Sequence, residues 1–136
     1  MYEYNVKVLR VIDGDTIDVD MDLGFSTVLK KKRIRLYGID TPESRTSDKE
    51  EKIRGIISKN YLLTKCPIGK YIRLKSHGVG KFGRILGELF EYNETSSIND
   101  EMCNEAYAVP YHGQSKEEIK QLHLENRQKL ISKGLL

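Results

Sequence analysis

Apolar side chains alternate with polar ones at Val6, Val8 and Val11, and again at Ile17, Val19, Met21 and Leu23, the period-two pattern of half-buried strands. Asp13-Gly14-Asp15 lies between the two runs. An Asp-Gly pair so flanked signals a hairpin, so the pattern predicts two antiparallel strands joined across it. Asp18, Asp20 and Asp22 then fall on the opposite face of the second strand, and Gly24 marks the next turn. A third strand is expected from about Thr27 to Ile39, with Ile34 and Leu36 inward and Arg33 and Arg35 on the other face; Asp40-Thr41-Pro42-Glu43 ends it.

The period then changes. Ser47-Asp48-Lys49-Glu50 matches an S-x-x-E capping box, and Ile53, Ile56, Ile57 and Tyr61 follow at helical spacing, which predicts a helix from about Asp48 to Thr64. Cys66-Pro67-Ile68-Gly69 closes it. Alternation returns from Tyr71 to Ser76, Gly78-Val79-Gly80 turns, and Arg84 to Tyr92 reads as a fifth strand. After a polar loop, Asn93 to Asn99, a short helix is expected over about Asp100 to Ala106. A second capping box, Ser115-Lys116-Glu117-Glu118, opens a last helix with Ile119, Leu122 and Leu130 as its apolar stripe and Gly134 as its stop. The order β-β-β-α-β-β-α-α predicts an α+β, mainly β domain: a five-stranded OB-fold barrel with three helices, one of them between strands three and four.

The 136 residues fit one domain, 1–136, with one compact site. Charged residues at 32% and a mean hydropathy of -0.54, with no apolar run near the ~20 residues of a spanning helix, argue against membrane residence. Met1 leads into alternating, charged sequence without an apolar export signal, so an intracellular protein is expected. Cys66 and Cys103 are too few for a disulfide framework and lack zinc-site spacing; they read as small buried hydrophobes. Net charge is only +3, but nine Lys or Arg and no acid fall between Lys52 and Gly87. Such a stretch suits a polyanion, or else a solvated helix face and a guarded strand edge.

Acid residues collect at two turns, Asp13 with Asp15 and Asp40 with Glu43, as a hard cation such as calcium or magnesium would require. For any one of these Asp residues taken singly, local turn chemistry is the stronger account. Arg35 beside them is suited to bidentate contact with a phosphate. His77, His112 and His123 show no triad pattern and read as surface or capping residues, and Gly78-Val79-Gly80-Lys81 lacks the full phosphate-loop pattern.

Three blocks, Val11-Ile12-Asp13-Gly14-Asp15-Thr16, Arg33 to Glu43 (RIRLYGIDTPE) and Lys81-Phe82-Gly83-Arg84, resemble in order and separation the motifs of the staphylococcal nuclease family. The resemblance runs from about Tyr4 to Leu130 and includes the stretch from Met102 to Gly113. It implies a calcium-dependent, sugar-nonspecific phosphodiesterase acting on single-stranded DNA and RNA, and less readily on duplex DNA, to leave 3′-phosphate ends. By that resemblance Asp15 and Asp40 are calcium ligands through carboxylates and Thr41 through its carbonyl. Glu43 handles the attacking water, and Arg35 and Arg84 hold the scissile phosphate. Lys81, Phe82 and Tyr111 are the implied substrate contacts, with Tyr111 either stacking on substrate or packed beneath the last helix. Phe82 stands where relatives carry a tyrosine, and Gly80 where a characterised relative has an acid. A monomer without an obligate protein partner is expected. The rival reading is a noncatalytic OB-fold module that binds nucleic acid or protein; the complete set Asp15, Asp40, Glu43, Arg35 and Arg84 favours the enzyme, since a binder needs no water-handling carboxylate.

Overall fold

A computed structural model describes residues 2–136. Five strands close a barrel in the order β1 (Glu3–Asp13), β2 (Thr16–Asp22), β3 (Val28–Leu36), β6 (Ile85–Phe90), β5 (Tyr71–Val79). All barrel pairs are antiparallel except β3 with β6, which is parallel. This is the OB-fold arrangement the element order predicts. The alternating positions fill the interior: Val6, Val8, Val11, Ile17, Val19, Met21, Ile34 and Leu36 are all buried, joined by Ile72, Leu74 and Leu89. Leu23 instead lies at the exposed end of β2.

Helix α1 (Lys49–Lys65) crosses from β3 to β5, and α2 (Ile98–Asn104) and α3 (Lys116–Ser132) follow the barrel. The capping residue of α1 is Asp48, not Ser47; its carboxylate accepts from the backbone N–H groups of Glu50 and Glu51. The second box holds as read, with Ser115 Oγ accepting from Glu118 N. The expected third strand is broken at Gly38, whose φ of +78° turns the chain out of the barrel. Ile39–Asp40 then form a separate two-residue strand, β4, paired with β7 (Val109–Pro110).

The apolar stripe expected on α1 is its buried face only in part, since Tyr61 packs against the core and Ile57 is half-buried. Ile53 and Ile56 are exposed, and the helix instead buries Arg54, Gly55, Ser58 and Leu62. Small residues at Gly55 and Ser58 let backbone from two other segments approach the helix, which an isoleucine there would prevent. Both cysteines are free. Cys66 is fully buried as expected and Cys103 only partly so; burial pushes the Cys66 thiol up to about 12 and that of Cys103 up to about 11.

Candidate active site

The candidate residues come from five segments that meet at one end of the barrel. Leu36 N bonds Asp15 O across the end of β2 and β3 at 2.8 Å, fixing Asp15 beside Arg35. The turn before Asp15 is tight for a packing reason. Gly14 has ordinary φ, but a Cβ there would meet Ser58 Cβ at 2.8 Å and Thr41 side-chain atoms at 3.1 Å. The hairpin turn, the segment after β4 and helix α1 therefore pack directly on one another. Gly55 does the same one turn earlier, where a Cβ would lie 2.3 Å from the Glu43 carbonyl oxygen and 2.6 Å from Ser44 N. Ser44 Oγ donates to Asp13 Oδ1, and Glu43 N donates to Glu51 Oε2 at 3.3 Å. Glu43 thus sits on a backbone held from below by α1 and from both sides by hydrogen bonds.

Arg35 bridges the two acidic turns. Its Nη2 lies 3.5 Å from Asp15 Oδ2 and 3.6 Å from Asp40 Oδ1, while Nη1 donates to Leu36 O at 2.9 Å. Asp40 is anchored by β7 on one side and by His123 of α3 on the other, with His123 Nε2 at 2.8 Å from Asp40 Oδ2. Asn126, one turn further along α3, donates to Ala108 O at 2.9 Å and ties the helix to the residue that leads into that strand. Partial burial raises the pKa of Glu43 first, and the charges of Asp15, Asp13, Asp40 and Glu51 raise it further.

A cleft of about 1300 Å³ opens over these groups. Arg35, Asp40, Thr41, Glu43, Lys81, Arg84 and Tyr111 all line it. Asp15 does not line the cleft and joins it through its ion pair with Arg35, and Phe82 stands almost wholly in solvent outside the lining, its ring centroid 6.0 Å from the Arg84 guanidinium carbon. Tyr111 is exposed at the rim, tied by its N–H to Gly38 O at 2.8 Å, and is not packed beneath α3. Of the nine cations between Lys52 and Gly87, only Arg54, Lys81 and Arg84 line the cleft. Lys65 pairs with Glu91 and Glu101, and Arg73 with Glu3, so part of that run serves as surface pairing. Lys116 and Lys120 of α3 supply cleft charge that the basic run did not suggest.

Two histidines are not the surface residues expected. His123 contacts Asp40, and His77 Nε2 lies 2.6 Å from Glu88 Oε1 while its ring stacks on Tyr37. Neither contact has a local signature, because the partners are 83 and 11 residues away. Among the described residues, no three His, Cys, Asp or Glu side chains converge closely enough to hold an ion by themselves.

Barrel and cleft together define an OB-fold protein with carboxylates and guanidinium groups intermixed at one end of the barrel wall. The chain belongs to the staphylococcal nuclease homologue family, whose profile matches residues 33–135. It is 34% identical over 116 residues to endonuclease YhcR of Bacillus subtilis, covering 80% of this chain and 9% of that one. It is 28% identical to protein ParB of Escherichia coli over 95% of this chain and 71% of the relative. Thermonuclease of Staphylococcus hyicus is 50% identical over 42 residues, which are 31% of this chain and 21% of that protein. The chain therefore spans only a small part of the two relatives named as nucleases here.

Proposed function

We propose that the protein is a calcium-dependent phosphodiesterase that hydrolyses single-stranded DNA and RNA, and duplex DNA less readily, to 3′-phosphate products. The observation that carries this reading is Arg35 spanning Asp15 and Asp40 beside a Glu43 whose carboxyl is pushed above its usual range. The candidate donors, the Asp15 and Asp40 carboxylates and the Thr41 carbonyl, are all oxygens and suit a hard cation. Asp15 and Asp40 both lie against the one Arg35 guanidinium, so two carboxylates share a single positive charge there and the residues fit a sparsely held ion. When bound, calcium would neutralise these carboxylates and stabilise charge gathering on the phosphate oxygens.

This chain's own side chains supply the rest. Arg35 and Arg84, both lining the cleft, hold the scissile phosphate and offer donors to the charge it gains as water adds. Glu43 orients that water and takes up its proton, for which a carboxyl with a raised pKa is better matched than an ordinary one. His123 keeps Asp40 turned toward Arg35. The P–O5′ bond then breaks, the departing 5′ oxygen takes a proton from solvent, and the phosphate stays on the 3′ side.

The test is digestion of plasmid, single-stranded DNA and RNA with calcium, with magnesium, and with excess chelator. Cleavage is expected with calcium, little with magnesium because its stricter octahedral shell holds water differently, and none with chelator. Undiminished cleavage in chelator overturns the metal assignment, and binding without cleavage under every condition supports the noncatalytic alternative.

A further inference from the structure

We propose that Tyr37, backed by His77, is a base-stacking platform that holds an unpaired nucleobase next to the phosphate bound by Arg35. The proposal deepens the nuclease reading and names a subsite for it. Arg35 is the penultimate residue of β3 and Tyr37 is the first residue of the turn that follows it, close enough in the chain for one to hold a phosphate and the other the base of the same nucleotide. Both line the same cleft.

The Tyr37 ring is built in from behind. Its centroid lies 4.0 Å from that of His77 with 3° between the planes, while the residue remains 45% exposed. His77 owes its position to a β-bulge. Ser76 pairs with Gly87 and Gly78 with Leu86, which leaves His77 as the extra residue, and bulges commonly re-aim a side chain in this way. Glu88 holds the imidazole at 2.6 Å. The Tyr37 backbone is pinned as well, its N–H donating to Gly87 O and its carbonyl accepting from Asn99 Nδ2, both at 2.8 Å. A large, half-exposed ring is thus backed on one face by His77 and pinned at its backbone, in the cleft that Arg35, Lys81 and Arg84 also line. An exposed aromatic so fixed costs little ordering when a flat, apolar partner covers it.

The occupant is an unpaired base, because stacking on the ring requires a base free of its duplex neighbours, and this gives a physical origin for single-strand preference. Phe82 is a poorer platform: it is 94% exposed, makes no aromatic stack, and sits outside the cleft lining. The ring face of Tyr37 is the working group, so its hydroxyl should be dispensable.

A double-mutant cycle in chelator, where binding is read without cleavage, tests this. The probe is a short thymidine oligonucleotide and versions with one abasic residue walked along it. At one position the abasic change should weaken binding to the parent on the order of tenfold. Tyr37→Leu should bind the intact strand that much more weakly and be indifferent to the same abasic change, and Tyr37→Phe should match the parent. The chain has no Trp, so 2-aminopurine at that position can be followed directly; its fluorescence should be quenched by the parent and by Tyr37→Phe but not by Tyr37→Leu. An abasic penalty of equal size in the parent and Tyr37→Leu overturns the platform. If Tyr37→Leu does not fold, absence of any position-specific quenching with the parent overturns it equally. A complete cycle in a protein that cleaves nothing with any metal would keep the platform and discard the nuclease reading.

Discussion

The two arginines assigned to the phosphate are held in opposite ways. Arg35 lies on the barrel wall, in a strand bonded on both edges, and its guanidinium contacts Asp15, Asp40 and the Leu36 carbonyl before any substrate arrives. Arg84 lies at the end of the β5–β6 connection, and its side chain has one long hydrogen bond, Nε to Lys81 O at 3.4 Å, and an exposed cation–π contact with Phe82 on the same turn. That connection contains Phe82 at φ +61° and Gly83 at φ +72°. One donor is thus aimed by the fold, and the other rides on a turn. A preorganised donor keeps its direction as charge moves, whereas a donor on a turn gains its geometry only as the phosphate draws it in.

The largest effect should therefore follow loss of the wall arginine. Arg35→Ala removes a transition-state donor and a ground-state contact together, and it leaves the two carboxylates it bridges facing each other. Cleavage should fall by about 10³-fold or more, with nucleotide-inhibitor affinity lost as well. Single-turnover cleavage and calorimetry read the two separately. Arg84→Ala should cost about 10²-fold in rate with only a modest loss of affinity, because Arg35 still holds the phosphate. Equal affinity losses in the two variants would erase the distinction drawn between wall and turn.

Glu43 belongs with the wall, and two substitutions sharpen that placement. Glu43→Gln keeps shape and removes the proton acceptor, so turnover should fall about 10²-fold while inhibitor affinity stays near that of the parent. Gly55→Ala touches no substrate, yet its Cβ would overlap the Glu43 carbonyl. The Glu43–Ser44 peptide must shift, which should cost about 1–3 kcal/mol in urea unfolding and about tenfold in rate by misplacing the carboxylate. Ile56→Ala, one residue along on the exposed side of α1, is the control and should change neither. A Gly55→Ala protein with parental activity would show that the helix does not position Glu43.

Legibility divides along the same line. The strands were readable because alternation reports burial directly: Val6, Val8, Ile17, Val19, Ile34 and Leu36 all point inward as their period requires. The motif blocks placed Asp15, Arg35, Asp40, Glu43 and Arg84 at one end of the barrel. What could not be read is whatever depends on a close backbone approach or a remote partner. The isoleucines of α1 mimic a buried stripe, but Gly55 and Ser58 occupy the contact where neighbouring chain segments cross the helix, and the core is met further along, at Tyr61 and Leu62. His123 and His77 meet their partners only after α3 docks and β5 bulges, and periodicity carries no trace of either event.

The smallest effect concerns the turn itself and asks whether its stiffness matters. A bulky aromatic in left-handed backbone is strained by about 1–2 kcal/mol relative to glycine, and Phe82 has φ +61° with its ring near Arg84. Phe82→Gly relieves that strain, but it frees the unfolded chain and the turn, and it removes an exposed cation–π contact worth about 0.5–1 kcal/mol. The contributions oppose one another, so stability should change by less than about 1 kcal/mol. Phe82→Asn is the partner variant, because asparagine tolerates left-handed backbone without glycine's freedom. If a stiff turn is what aims Arg84, Phe82→Gly should cleave about threefold more slowly than Phe82→Asn, a gap of about 0.65 kcal/mol by the usual rate relation. In an Arg84→Ala background the gap should vanish, since the turn then has no guanidinium to aim. The same pair compared in an Arg35→Ala background should keep its gap, because nothing in the wall depends on residue 82. Persistence of the difference without Arg84 would mean that Phe82 acts on substrate by itself, and the contrast between an aimed and a drawn-in arginine would have to be rebuilt around the aromatic ring.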